Sequence, residues 1–210
     1  MLIDSVSSIF SRKIAIDIQN GENNIQFLVV VEDAALSAIK RLHLENLPTN
    51  SYAVSLDVSI TQFSENEKIQ FSRLNHYLNK SNDLGINKKC DLVLFTEEQE
   101  GERIYIFDLK SSDPDPNDVC NQLANSEIYI KYILELVSFF YKHDTSTVPI
   151  LKVIGVTRTR KRQVSINEEL KAKINKKRVL FEKNKIKEVQ IYAEANRKGT
   201  LQFNQLSKLF

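Results

Sequence analysis

The chain has no tryptophan, one methionine and two cysteines in 210 residues. Cys90 and Cys120 are far apart and match neither a CxxC pair nor a zinc-ligand spacing. A zinc site and a disulfide framework are thereby excluded, and two reduced, partly buried thiols are expected. His43, His76 and His143 are scattered, and none has a second ligand type four residues on. That leaves no histidine-based metal site and no Cys/His nucleophile pair. With 5 glycines, 4 prolines and no low-complexity tract, the composition excludes disorder over most of the length. No apolar run reaches the roughly 18 residues that a membrane span requires. The opening MLIDSVSSIFSRK lacks a basic start followed by an apolar run, so it does not read as a secretory signal. The expectation is a cytoplasmic protein with no membrane partner.

What is present is a hydrophobic share of 42% and a charged share of 27%, enough for one good core in one domain. The net charge of +2 argues against nonspecific polyanion binding by the whole surface, but its distribution is uneven. From Arg158 to Lys187, twelve Lys and Arg stand against Glu168, Glu169 and Glu182; this local net of +9 within a total of +2 leaves −7 for the rest. A basic final third on an acidic body points to one face that meets a polyanion, unless it is only a solvated, Lys-rich helix.

Periodicity gives the element order. Lys13–Ile18 alternates as a strand, Asn20-Gly21 marks a hairpin, and Ile25–Val31 is the return strand. Glu32–His43 carries apolar residues at helical spacing with acids in its first turn, and predicts a helix. Tyr52–Ile60 alternates again. Ser64 with Glu67 three residues later is a capping-box pattern opening a helix over Glu65–Lys80. Cys90–Phe95 and Arg103–Leu109 are short apolar strands joined by the polar connector Glu97–Glu102, an antiparallel hairpin. Asp113-Pro114-Asp115-Pro116 interrupts regular structure, and Asp115 or Asn117 caps a long helix over Asn117–Tyr141. Val148–Val156 reads as a buried strand. Glu168–Lys177 reads as a helix, and Val179–Phe181 and Val189–Ala193 as short strands. The chain ends in the amphipathic LQFNQLSKLF. The class is mixed α/β, a sheet flanked by helices.

The chemistry-bearing pattern is central. Asp108 and Lys110 are i and i+2 on one strand and project from the same face, while Leu109 points into packing. In a hairpin the start of the first strand lies beside the end of the second, so Asp91 is brought next to them. Two adjacent carboxylates repel unless a cation lies between them. Hard divalent ions, Mg²⁺ or Mn²⁺, take such oxygen ligands. An amine beside them suits stabilisation of a phosphoryl transition state.

The stretch CDLVLF…IYIFDLK resembles the PD-(D/E)xK nuclease superfamily, over roughly Glu65 to Thr157. The resemblance places Asp91 at the motif's first acid, with Cys90 where the family has Pro, Asp108 at its second and Lys110 at its lysine. It implies a restriction-endonuclease-like core, with a metal held by Asp91, Asp108 and the carbonyl of Leu109. Many members add a glutamate from a preceding helix; Glu67 and Glu65 are candidates here, and Glu32 opens an earlier helix. An exonuclease-like branch carries Gln and then Tyr four residues on; Gln122 matches the first, but Ser126 stands at the second. The implied activity is hydrolysis of DNA, RNA not being excluded, in restriction or antiviral defence. Arg158, Arg160, Lys161, Arg162, Lys176 and Lys177 would hold phosphates. The expected organisation is strands and a helix over 1–60, the nuclease core over 61–157, and a basic extension of the same domain over 158–210. A homodimer or a protein partner is left open. The competing expectation is a catalytically inactive nuclease-fold protein acting as a nucleic-acid-binding or protein-interaction module.

Overall fold

The computed structural model describes residues 1–32, 37–57, 64–71, 86–110, 114–158 and 168–210. Its centre is a hairpin of β5 (Leu92–Glu98) and β6 (Gly101–Lys110), paired antiparallel from Leu92↔Phe107 to Glu98↔Gly101. The strands extend further into the polar connector than their apolar cores predict. Only Gln99 and Glu100 turn the chain, and Gly101 takes a φ of +119°, a conformation that residues with a Cβ rarely adopt. β6 is buried from Ile104 to Leu109 because it is paired on both sides. β5 lies on one edge of it, and β7 (Ile150–Arg158) runs parallel on the other.

Parallel neighbours need a long crossover, and two helices supply them. α3 (Pro116–Tyr141) links β6 to β7, and α4 (Glu168–Lys183) links β7 to β8 (Ile186–Tyr192). β4 (Ser51–Val54) completes a five-stranded mixed sheet ordered β4-β5-β6-β7-β8. α3 starts where the sequence reading places it. Asp115 is the cap and accepts from the Asn117 amide at 2.7 Å, and Pro116 fills the first helical position, where no N–H is needed. Val119, Leu123, Ile130, Ile133 and Val137 of α3 pack on one face of the sheet with Ile106, Ile154 and α1 (Leu2–Ile9).

A second sheet covers the opposite face. Its order is β1-β2-β3-β9: β1 (Gln19–Asn20), β2 (Gln26–Val31), β3 (Arg41–Glu45) and β9 (Lys198–Gln202). Leu28, Leu42, Leu44 and Leu201 from it form a second core with Leu94, Tyr105, Phe107 and Leu109. The result is three layers, helices on a five-stranded sheet on a four-stranded sheet; the short α5 (Phe203–Ser207) buries Phe203 and Leu206 in the second core, and Phe71 of the short α2 (Glu65–Phe71) packs against the first. Among the described residues no helix is long and apolar enough to cross a membrane.

Several sequence expectations are corrected. The helix expected over Glu32–His43 does not form at 37–43; residues 33–36 lie outside the described residues. Arg41–Glu45 is instead β3, because Leu42 and Leu44 alternate inward and the strand gains two partners, antiparallel β2 and parallel β9. Pairing with a strand from the other end of the chain outweighs local helical spacing. Val179–Phe181 is helical, a continuation of α4 that lets Phe181 reach the core. In Lys13–Ile18 only Ala15 makes a bridge, to Val54, and Arg12–Ile14 is a 3-10 turn. The Asn20-Gly21 hairpin does form, with Gln19↔Phe27 and Asn20↔Gln26 paired. Residues 58–60 and 72–80 of the expected third strand and second helix lie outside the described residues.

Gly155 of β7 leaves room for the side chains of its neighbouring strands, Phe107 of β6 and Ile191 of β8. A Cβ there would lie 2.4 Å from Phe107 Cζ and 2.8 Å from Ile191 Cδ1, so both side chains would have to move. Gly155→Ala is expected to cost about 1–3 kcal/mol by overpacking. In thermal melts it should lower the midpoint by several degrees; an unchanged midpoint would show that Phe107 and Ile191 relax freely.

Candidate active site

Register sets the site. Asp91 directly precedes Leu92, and Asp108 directly follows the latter's partner Phe107, so the two acids come from adjacent strand ends. Asp108 and Lys110 pair with Ile154 and Val156, whose side chains lie in the helix-side core, and both acid and amine therefore face α3. Leu109 faces the other way and is buried in the second core.

The groups meet closely. Lys110 Nζ lies 2.7 Å from Asp108 Oδ2 and donates to Gln122 Oε1 at 3.0 Å. Gln122 Nε2 donates to Asp108 Oδ1 at 2.7 Å and also to the Lys89 carbonyl. Asp91 Oδ2 accepts the Leu109 amide at 2.6 Å, which ties the first acid to the strand that carries the other two groups. Gln122 therefore belongs to the constellation. Ser126, a turn later, bonds the Cys90 amide at 3.1 Å and does not reach Asp108 or Lys110 in any described contact.

Asp108 is wholly buried. Burial pushes its carboxyl up to about 6, although the ammonium of Lys110 pulls it back. Half-buried Asp91 is raised well above the ordinary carboxylate range, first by desolvation and then by the charge of Asp108. For Lys110 burial works to lower the pKa, but Asp108 and Asp91 outweigh it and the amine is raised. The pair of acids is thus poorly neutralised by one amine. Asp108 Oδ2 is buried against the Lys110 ammonium, 2.7 Å away. A buried oxygen in that state, next to a second carboxylate and a strand-end carbonyl, is a donor set that suits a hard divalent cation.

Glu67 has other partners. Its carboxylate accepts the Ser64 amide at 2.9 Å and the Ser64 hydroxyl at 2.8 Å and pairs with Lys13. It caps α2, as the Ser64/Glu67 pattern predicts, and no described contact brings it to Asp91 or Asp108. The acid whose charge is felt at Asp91, Asp108 and Lys110 alike is Glu32, and Asp57 adds to the load on Asp108. Sequence spacing places Glu32 at the start of a helix. The informative signal is the alternation Leu28, Val30, Glu32, which carries the inward face of β2 one step past its end. Among the described residues no three His, Cys, Asp or Glu side chains group closely enough to hold a metal, so Glu32 acts on the pair by its field.

Of the expected phosphate-binding residues, the Arg158 backbone ends β7, while Arg160, Lys161 and Arg162 lie outside the described residues. Lys176 is exposed on α4. Lys177 is half-buried, 2.9 Å from Glu188 and above the Phe181 ring, so much of its charge is already used. Between α4 and the start of α3 lies a cavity of about 490 Å³ lined by Asn117, Val156, Lys173 and Lys176, among others. Val156 is the register partner of Lys110, which places this cavity one strand away from the constellation. No family model, curated protein or solved structure matches the chain.

The raised acids fix a pH dependence. A carboxyl whose folded pKa exceeds its unfolded value near about 4 binds its proton more tightly when folded, so stability from it falls as pH rises from there through the folded value. For Asp108 that window closes at about 6. Asp91→Asn keeps an acceptor for the Leu109 amide and removes the repulsion. In EDTA its melting midpoint is expected to exceed wild type by about 2–4 °C at neutral pH, roughly a 1 kcal/mol gain, and by less at pH values of about 4–5. A lower midpoint at neutral pH would mean that the Asp91 charge is net stabilising.

Proposed function

We propose that this chain is a metal-dependent nuclease of the PD-(D/E)xK kind that hydrolyses phosphodiester bonds of DNA. The observation that carries this reading is the wholly buried carboxylate of Asp108, bonded by Gln122 on one oxygen and paired with Lys110 on the other, beside the second acid, Asp91. The order of elements supports a restriction-endonuclease-like core: α2, the β5–β6 hairpin, the long α3, then β7 parallel to β6.

Asp91, Asp108 and the Leu109 carbonyl would hold Mg²⁺ or Mn²⁺. When bound, such an ion lowers the pKa of a water and offsets the charge that develops on the phosphate. The protein's own groups do the rest. Lys110, kept protonated by the two acids, stands ready to donate to a phosphoryl oxygen. Gln122 holds both Asp108 and Lys110, and so fixes the angle between acid and amine. Leu109 and the apolar layers behind it keep water from the inner side of the site. Lys171, Lys173 and Lys176 are exposed along α4 and offer positive charge to a phosphate backbone, and Arg158, Arg160, Lys161 and Arg162 belong to the same basic stretch of sequence.

The test uses supercoiled plasmid and linear duplex with Mg²⁺ or Mn²⁺. Wild type is expected to cut, and Asp108→Ala to cut at least about a hundredfold more slowly. Lys110→Ala should bind metal within a few-fold of wild type yet cleave slowly. Equal cutting by wild type and Asp108→Ala rejects the assignment. Binding of duplex by wild type without any cleavage in either metal favours the inactive nucleic-acid-binding module instead.

A further inference from the structure

One stripe of α3 grips the chain that leads into Asp91. Lys88 Nζ lies 2.8 Å from Asp118 Oδ1, and Asn125 Nδ2 donates to the Lys88 carbonyl at 2.7 Å. Gln122 Nε2 donates to the Lys89 carbonyl. Ser126 Oγ accepts from the Cys90 amide at 3.1 Å and donates to the Gln122 carbonyl at 3.0 Å. Residues 118, 122, 125 and 126 share one side of a helix, so the four side chains form a continuous rail. Residues 88–90 precede β5 and have no ladder partner of their own. The rail supplies backbone bonds that a neighbouring strand would otherwise make. The Asp57 amide takes the Cys90 carbonyl at 3.2 Å from the other side.

The burial of this contact gives it leverage. Ser126 and Cys90 are both fully buried, and a buried N–H without an acceptor is costly. The chain at Cys90 is therefore held at one distance from α3, and Asp91 is the next residue. Gln122 belongs to the same rail and touches Asp108 and Lys110 directly. The two acids are thus set by one helix, Asp108 through Gln122 and Asp91 through Ser126 and Asn125. A proline at 90 has no N–H to offer, so an acceptor at 126 and a non-proline residue at 90 belong together.

We infer that Ser126 and Asn125 are positioning residues for Asp91, holding its carboxylate at the spacing from Asp108 that a divalent cation needs. The inference rests on the metal-dependent reading above. Neither residue touches the acids in any described contact, and each acts through the backbone of 88–90.

Calorimetric titration of the purified chain with Mn²⁺, without nucleic acid, tests it. Ser126→Ala is expected to weaken Mn²⁺ binding about tenfold, the effect typical of losing an orienting partner, and Asn125→Ala to weaken it by less. Ser126→Thr keeps the hydroxyl and Cys90→Ala keeps the amide, so both should bind as wild type does. Melts in EDTA check that each variant is folded at the titration temperature. If Ser126→Ala binds Mn²⁺ with wild-type affinity while Asp108→Ala does not, the positioning role is overturned and the metal site stands. Loss of affinity in Ser126→Thr equal to that in Ser126→Ala also overturns it, since the hydroxyl would then be irrelevant. Wild-type affinity in Asp108→Ala overturns the metal reading and this inference together.

Discussion

The carboxylate of Asp108 has no contact with solvent, and the rest of the site is arranged around that fact. Removing a charge from water is costly unless partners compensate, and here compensation is incomplete. Gln122 satisfies one oxygen and Lys110 pairs with the other, yet burial still holds the carboxyl above its ordinary range. The nearby Asp91 adds charge of the same sign. A chain selected for stability alone has apolar alternatives at a buried strand position. Asp108 is expensive where it stands, which is why its surroundings speak for use rather than for packing.

That cost is tolerable because the neighbourhood is rigid. β6 is paired on both edges and covered on both faces, by α3 on one side and the four-stranded sheet on the other. Strand alternation then separates the tasks: Phe107 and Leu109 anchor β6 in the inter-sheet core, while Asp108 and Lys110 face the helix. α3 serves as crossover, as core and as template, since one stripe of it meets both acids' supports. Glu32, at the end of β2, brings the second sheet's charge to bear on the same groups.

Local features were readable where local rules decide. The Asp115 cap, Pro116 at the first helical position and the apolar stripe of α3 needed nothing beyond nearest neighbours. The β5–β6 hairpin followed from two apolar runs and a polar turn, and its register put Asp91 beside Asp108. The helix expected over Glu32–His43 misses β3 because that strand pairs with Lys198–Gln202 as well as with β2, and no local window contains the former. Val179–Phe181 failed because a short apolar run looks alike as a strand or as the buried side of a helix. Chain order points to Glu67, yet its carboxylate is used by Ser64 and Lys13.

The amino-acid order alone determined the pairing of Asp108 with Lys110, since a period of two puts both on one face whatever surrounds the strand. It also determined the hairpin that delivers Asp91, because turn chemistry and apolar alternation act over a few residues. Tertiary structure alone decided which partners those groups have. Gln122 meets Asp108 and Lys110, Ser126 meets Cys90, and Glu32 rather than Glu67 acts on the acids, all through the docking of α3 and the second sheet. The physical reason is that hydrogen bonds and fields depend on distance in space, and burial brings together groups that spacing along the chain does not relate.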